Sequence, residues 1–466
     1  SCNLINQLRF ALNRVAAGSF QESRNGSLNE AVGIPELSSN PRDYGLSFIT
    51  VSGYSPIGDE YNNPQHSVTN VFQVTDAMTY SKAKHLFRFG FDMRRLQQNA
   101  FRDVQARGFL AFSEYGQVTG NGLADMLLGF VTYSGGAQLD NPQYLRAMSW
   151  NFFLQDSYRL RRNLTLQLGV RYEYNTPPVD RFDRAATYDP VSKNLVPVGE
   201  NGVPRGAYEP DRNNWAPRVG IAWSLDAADK TILHAGYGVY FDQSSLAPGE
   251  GLYFNKPYYD FKLYFPLPGY PLTLNDPFPA SYPLSIPGSA LGYDRNLRSP
   301  YVQQWSLTFK RQLGTDRHIE IAYVGSKGTK NISARDINQP AASPIYPNPR
   351  PVPQFSDIVY IESRGNSSYN SLQAQFRQRL RAGASAVISY TYGKSLDDNS
   401  TFFSSNGDSN FPQNSANPRA ERGRSNFDLR HRFSLGYSLD LPFGRGRRFL
   451  SNRHFISEIF SGWSTY

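Results

Sequence analysis

The residues that could carry chemistry are scattered rather than assembled. The six histidines, His66, His85, His234, His318, His431 and His454, stand singly, with no HExxH pair. A lone cysteine, Cys2, removes disulfide frameworks and cysteine-based zinc sites. There is no nucleophile-elbow GxSxG and no GxxxxGK(S/T) phosphate loop, and Gly444-Arg-Gly446 sits in a basic turn without a strand-to-helix context. Asp397, Asp398, Asn399 and Asp408 offer oxygens to a hard cation, but their spacing fits no EF-hand and a solvated polar loop explains them more simply. No pair of carboxylates stands out for acid–base work. These residues point away from an enzyme, and neither a metal nor a cofactor is expected.

One stretch does offer a binding surface. Between Gly251 and Pro287 lie Tyr253, Phe254, Tyr258, Tyr259, Phe261, Tyr264 and Phe265, with Tyr270 beyond, among many prolines. Proline limits the entropy lost on ordering such a loop, and tyrosine presents flat apolar area with a polar tip. The combination suits a glycan, a peptide or a siderophore-like compound. The plainer alternative is that these rings pack the loop on itself or cap the mouth of a larger structure.

The elements that would hold such a loop are strands. The chain has 466 residues, 14% aromatic and only 19% charged, with 38 Gly and 31 Pro, which argues against a mostly helical protein. No apolar run reaches the length of a membrane-crossing helix, but barrel strands alternate and escape that test. Period-two alternation dominates. Leu164, Leu166, Leu168, Val170, Tyr172 and Tyr174 alternate with Thr165, Gln167, Gly169, Arg171 and Glu173. Met148, Trp150, Phe152 and Leu154 precede them across the short Arg159–Arg162 turn, which predicts a hairpin. Further pairs are predicted at Val68–Thr79 with Phe87–Arg94, Trp215–Leu225 with Thr231–Phe241, Tyr301–Leu313 with His318–Val324, and Tyr369–Leu380 with Ala384–Tyr392. Leu4–Val15 and Phe433–Leu441 add to a total of about fifteen strands, each near ten residues.

Short turns join the pairs, whereas the links between pairs are long: Asn175–Asn214, Asp242–Pro300, Gly325–Ser368 and Gly393–Asp428. A soluble sandwich with one wet face would alternate too, but it has no reason to keep its long links on one side. Long extracellular loops and short periplasmic turns are the layout of an all-β transmembrane antiparallel barrel in a bacterial outer membrane. An arginine facing lipid at mid-bilayer costs roughly 2–4 kcal/mol, so Arg88, Arg94, Arg171 and Glu173 are expected to face the lumen and the Phe87, Phe89, Phe91 series the lipid. The net charge of +9 is spread along the chain, with small runs at Arg159–Arg162 and Arg445–Arg448 in short turns. That excludes a concentrated nucleic-acid face and fits outer-membrane lipid and the phosphates of lipopolysaccharide.

Nine segments in order resemble the TonB-dependent outer-membrane receptors, specifically their Oar-like branch. They include KHLFRFGFDMRR (Lys84–Arg95), GNGLADMLLG (Gly120–Gly129), FLQDSYRLRRNLTLQLGVRYEY (Phe153–Tyr174), NWAPRVGIAW (Asn214–Trp223) and TILHAGYGVYFD (Thr231–Asp242). SPYVQQWSLTFKRQL (Ser299–Leu313), IEIAYVGSKGT (Ile319–Thr329), YNSLQAQFRQRLRAGASAVISYTYGKSLDD (Tyr369–Asp398) and DLRHRFSLGYSLDLPFGRGRRF (Asp428–Phe449) complete the series. The resemblance implies a 22-stranded barrel with an N-terminal plug, a TonB-contacting box and a regulatory-like domain. Residues 1–466 show no signal peptide, plug or box, so they are expected to be part of one such barrel without its closing strands. Contact with the TonB complex would run only through the missing N-terminal part. The ligand stays unnamed. A passive porin-like channel and a structural or adhesive surface barrel remain alternatives.

Overall fold

A computed structural model describes residues 3–440 apart from 25, 243–245, 285, 345–347, 380–383 and 402–410, and beyond these residues 443, 444, 449, 455, 459 and 463–465. The Arg445–Arg448 run, the Arg381–Gly383 turn, Asp408 and His454 therefore lie outside the described residues.

Twelve long strands form the spine of one antiparallel sheet: β1 (Leu4–Ser19), β2 (Gln65–Lys82), β3 (His85–Arg102), β4 (Pro142–Arg161), β5 (Leu164–Asn175), β6 (Trp215–Ser224), β7 (Thr231–Phe241), β8 (Tyr301–Leu313), β9 (Arg317–Asp336), β10 (Ile358–Arg379), β11 (Ser385–Asp397) and β12 (His431–Asp440). Each pairs with its sequence neighbours, as in an up-and-down meander. Among the described residues the sheet counts sixteen strands, the other four being two- to four-residue pieces added at its margins. No helix among the described residues is long and apolar enough to cross a membrane, which says nothing of strands.

Alternation sets the two faces. On β4, Ser149 and Asn151 are buried while Trp150, Phe152 and Leu154 are exposed. Register carries this parity across the sheet: Phe152 stands between Phe91 and Tyr172, and Asn151 between Asp92 and Glu173. The exposed apolar series recurs on later strands as Ile321 and Tyr323, Leu372, and Phe433, Leu435 and Tyr437. Exposed rings and aliphatics in continuous belts are unstable against water and natural against hydrocarbon.

The long connections 20–64, 103–141 and 242–300 do not hang free. Phe48–Val51, Phe109–Phe112, Tyr133–Leu139 and Tyr259–Tyr264 associate into a separate four-stranded sheet. Its core is Ile34, Ile49, Val51, Leu110, Phe112, Val131, Tyr264 and Leu272. The hairpin Ala186–Asp189 with Asn194–Pro197 and the segment Ala290–Tyr293, which runs parallel to the start of β10, build further packing around Tyr188, Ala290 and Ile358. The loops thus form an ordered cap.

One predicted link proves shorter than expected. Gly325–Ser368 is largely strand, because β9 continues to Asp336 and β10 starts at Ile358. The register shifts at Gly328/Asn331 and again at Asn331/Ile332, with Lys330 at a positive φ of 59°. A bulge breaks the alternation by which a strand is read while leaving the pairing intact beyond it.

Candidate functional site

The face that carries Ser149 and Asn151 is the one the cap folds over, since Leu145 and Ala147 on that face pack with Leu246 and Tyr253 of the 242–300 loop. It is therefore the inner wall. Arg88 and Arg94 on β3, and Arg171 and Glu173 on β5, all share it by register. Same-face neighbours two residues apart form ion pairs: Arg94 Nε lies 2.9 Å from Asp92 Oδ1, and Arg171 Nε 2.7 Å from Glu173 Oε1. Asp92 also accepts from Thr75 Oγ1 at 3.0 Å and from the Gln73 amide. Asn151 donates to Ser149 Oγ at 3.0 Å, and Ser149 donates to Asn175 Oδ1 at 2.6 Å. A polar ladder thus crosses β2 to β5, with the charges that a lipid face would reject placed on the wall.

Next to this ladder the wall opens into a groove of about 960 Å³. Arg88, Arg171 and Arg218 line it together with Gln155, Gln167 and His234, and Gly169, Gly220 and Gly236 keep its floor low. Arg218 lies over the Tyr240 ring at 4.4 Å. Among the described residues neither Arg88 nor Arg218 has a carboxylate in ion-pair range, so the groove carries a net positive wall suited to polar or anionic solutes.

The aromatic loop residues divide by depth. Tyr253 is fully buried; its hydroxyl donates to Asp180 Oδ2 and accepts from the Tyr144 amide at 3.2 Å. Burial and the neighbouring carboxylate push the Tyr253 phenol far above its ordinary value. Tyr264 belongs to the cap core. Phe254 and Tyr259 meet edge to face at 5.2 Å, and burial raises the Tyr259 phenol as well. Tyr258 is half-buried under Arg184, 5.3 Å from the ring centre, and Phe261 is half-buried on the cap sheet. Phe265 reaches the surface, stacked on exposed Tyr133 at 5.9 Å. The stretch is therefore part anchor and part surface.

The cation-like loop carries its own partners. Both Asp397 oxygens accept from Ser400 Oγ, at 3.0 and 3.1 Å, and Asp398 accepts from the Asn366 amide at 2.6 Å. No cluster of three or more metal-ligating side chains occurs among the described residues. Sequence reading passed over the cap's buried charges. Arg42 Nε reaches Asp103 Oδ2 at 2.6 Å, and Arg335 holds Glu362 by two bonds of 2.8 and 2.9 Å. Each pair joins two loops or strands distant in sequence, a relation that no local spacing signals.

Known proteins place this architecture. A family model described as outer membrane beta barrel domain matches residues 1–466. No curated protein matches the sequence. Among solved structures, the outer membrane transporter YddB from Escherichia coli is similar, at 11% identity and a TM-score of 0.57, over 94% of this chain and 47% of that one. The ferripyoverdine receptor of Pseudomonas aeruginosa is similar at 10% identity and a TM-score of 0.45, over 94% and 41% of the two chains. The ferric-catecholate import receptor Fiu from Escherichia coli follows at 11% and 0.42, over 95% and 50%. The last two scores are too low to add to the fold argument. This chain spans about half the length of the solved structures it matches. With its belted antiparallel sheet, polar inner wall and one-sided long loops, the chain belongs to the outer membrane β-barrel domain family and resides in the outer membrane.

Proposed function

We propose that residues 1–466 are the greater part of the wall and cap of an outer-membrane receptor or transporter of the TonB-dependent kind, in its Oar-like branch. The observation that carries this reading is the pairing of an ordered cap, built from three long loops with its own core, with a polar groove on the wall beneath it. An open diffusion pore gains nothing from an ordered roof; a receptor that captures a scarce ligand before passage does. The ligand class is a glycan, peptide or siderophore-like compound, met first by the exposed Tyr133–Phe265 pair and half-buried Tyr258. On this reading the plug and the TonB contact come from polypeptide outside residues 1–466, and the wall makes its own contacts only with membrane lipid, lipopolysaccharide and ligand. The likeness to a transporter supports the reading at the level of fold.

Uptake by the full-length protein in cells tests it. Import that stops when the proton-motive force is collapsed supports the receptor reading. Import that continues unchanged, with steady conductance in planar bilayers, replaces it with a passive channel. Binding without import identifies an adhesive barrel instead.

A further inference from the structure

On three of the four neighbouring strands β1 to β4 the outward face ends, on the side of the long loops, in arginine. On β1 the outward residues Leu8, Phe10 and Leu12 are followed by Arg14. On β3, Phe87, Phe89, Phe91 and Met93 are followed by Arg95. On β4, which runs the opposite way, Arg146 precedes Met148, Trp150, Phe152 and Leu154. Register places Arg14, Asn70, Gln97 and Arg146 in one row, with Arg95 one row nearer the apolar belt. Arg181 is one row farther out, where its amide bonds the Tyr144 carbonyl.

Arg95, Arg146 and Arg181 form a cluster, and Arg14 stands in the row of Arg146 three strands along. Arg95 and Arg181 stand close enough for their charges to act on Arg146. None of the four makes an ion pair among the described residues, and the same-face neighbours in these rows are Asn70, Gln97, Asn99, Tyr144 and Val179. The nearest carboxylate, Asp180, sits on the opposite face and is engaged by Tyr253 and three backbone amides. Arg146 is held in place by the Gln98 and Leu145 carbonyls and the Asn99 amide oxygen, at 2.8–3.0 Å, Arg14 by Asn70 at 3.3 Å, and Arg181 over the Phe182 ring at 5.1 Å. Fixed cations brought together against mutual repulsion at the height where hydrocarbon gives way to head groups demand an anion. Arginine pairs phosphate with two parallel N–H donors.

We propose that Arg14, Arg95, Arg146 and Arg181 form a binding site for the phosphates of a phosphorylated glycolipid in the outer leaflet. The acyl chains would lie on the Phe89–Trp150 belt directly below. The site depends on the membrane placement of the sheet and not on what passes through the barrel, so it stands or falls apart from the transport reading.

The full chain, purified in detergent, is titrated with bisphosphorylated lipid A and with its dephosphorylated form, and retention is read by native mass spectrometry. Preference for the phosphorylated lipid is expected, weakening as salt is raised. The double variant R95Q/R146Q should lose about tenfold or more of that retention. R95K/R146K should keep part of it, and Arg88→Gln on the inner wall should keep all of it. Heat-modifiable gel mobility confirms that each variant is folded. Equal retention of the two lipids, or full retention by folded R95Q/R146Q, overturns the proposal. Displacement of lipid A by equimolar inorganic phosphate also overturns it, by showing a site for free phosphate alone.

Discussion

Asp103 and Asp43 are buried side by side in the cap, and Arg42 Nε bonds only the first of them closely, at 2.6 Å, against 3.8 Å to Asp43 Oδ1. Burial, with the Asp43 charge alongside, pushes the Asp103 carboxyl up to about 7. A carboxyl raised in the folded state favours folding in its protonated form. Its contribution is full below the unfolded value of 3.8 and is lost as pH rises through about 7. The contact between the 20–64 and 103–141 loops should therefore loosen between about pH 4 and about pH 7 and change little above that. Protease protection of the cap, corrected for the protease's own pH profile, measures this. Asp103→Asn should flatten the dependence; a slope that survives in D103N assigns it to another group.

Asp180 gathers the cap onto β4. Its carboxylate accepts from the amides of Tyr144, Phe182 and Arg184 at 2.7–3.1 Å, besides the Tyr253 hydroxyl. Tyr253→Phe removes one donor from a carboxylate that keeps three, and should cost about 1 kcal/mol of cap stability. Asp180→Ala strips the acceptor from three amides and the phenol at once, and should cost about 3 kcal/mol or more. Hydrogen exchange at Tyr144, Phe182 and Arg184 should rise far more in D180A than in Y253F. Equal effects would mean that the Tyr253 hydroxyl, and not the three amide bonds to the carboxylate, anchors the cap.

How far the sequence could be read follows from where lipid lies. Thr231–Phe241 and Tyr301–Leu313 were legible to the residue because one side of each meets hydrocarbon and the other does not. β3 runs on to Arg102, past the predicted end at Arg94, because Leu96-Gln-Gln-Asn-Ala-Phe-Arg102 rises above the belt, where both faces meet polar surroundings and alternation fades. Pairing of Arg171 with Glu173 was within reach of parity, since residues two apart on a strand share a face. The cap sheet was not, because its four strands come from three separate loops spread along the chain from Phe48 to Tyr264. Nor was the outward cluster around Arg146, which takes its meaning from register between strands and from the height at which the belt stops.

Trp305 stands opposite Gly325 on the outward face of β8 and β9, and its indole occupies the place that a β-carbon at Gly325 would take. The ring covers the glycine's bare backbone. Gly325→Val should expel the indole from that seat at a cost of about 1–3 kcal/mol, while Trp305→Leu/Gly325→Val should recover part of it. The urea midpoints of the single and double variants test the coupling; additive losses would show that the two positions do not interact.

Phe152 and Gln155 separate the two faces of β4 within one strand turn. Phe152 is 49% exposed between Phe91 and Tyr172 in the belt, whereas Gln155 lines the wall groove opposite Arg88 and Gly169. An arginine at 152 must either enter hydrocarbon or drag water to it, and Phe152→Arg should destabilise the barrel by roughly 2–4 kcal/mol. Gln155→Glu places a carboxylate beside Arg88 and should be neutral or slightly stabilising, because wall positions remain hydrated and the new charge has a partner. Refolding into phospholipid vesicles across a urea series gives both values. Equal tolerance at 152 and 155 would mean that the exposed belt faces water, and the assignment of outer and inner faces would have to be abandoned.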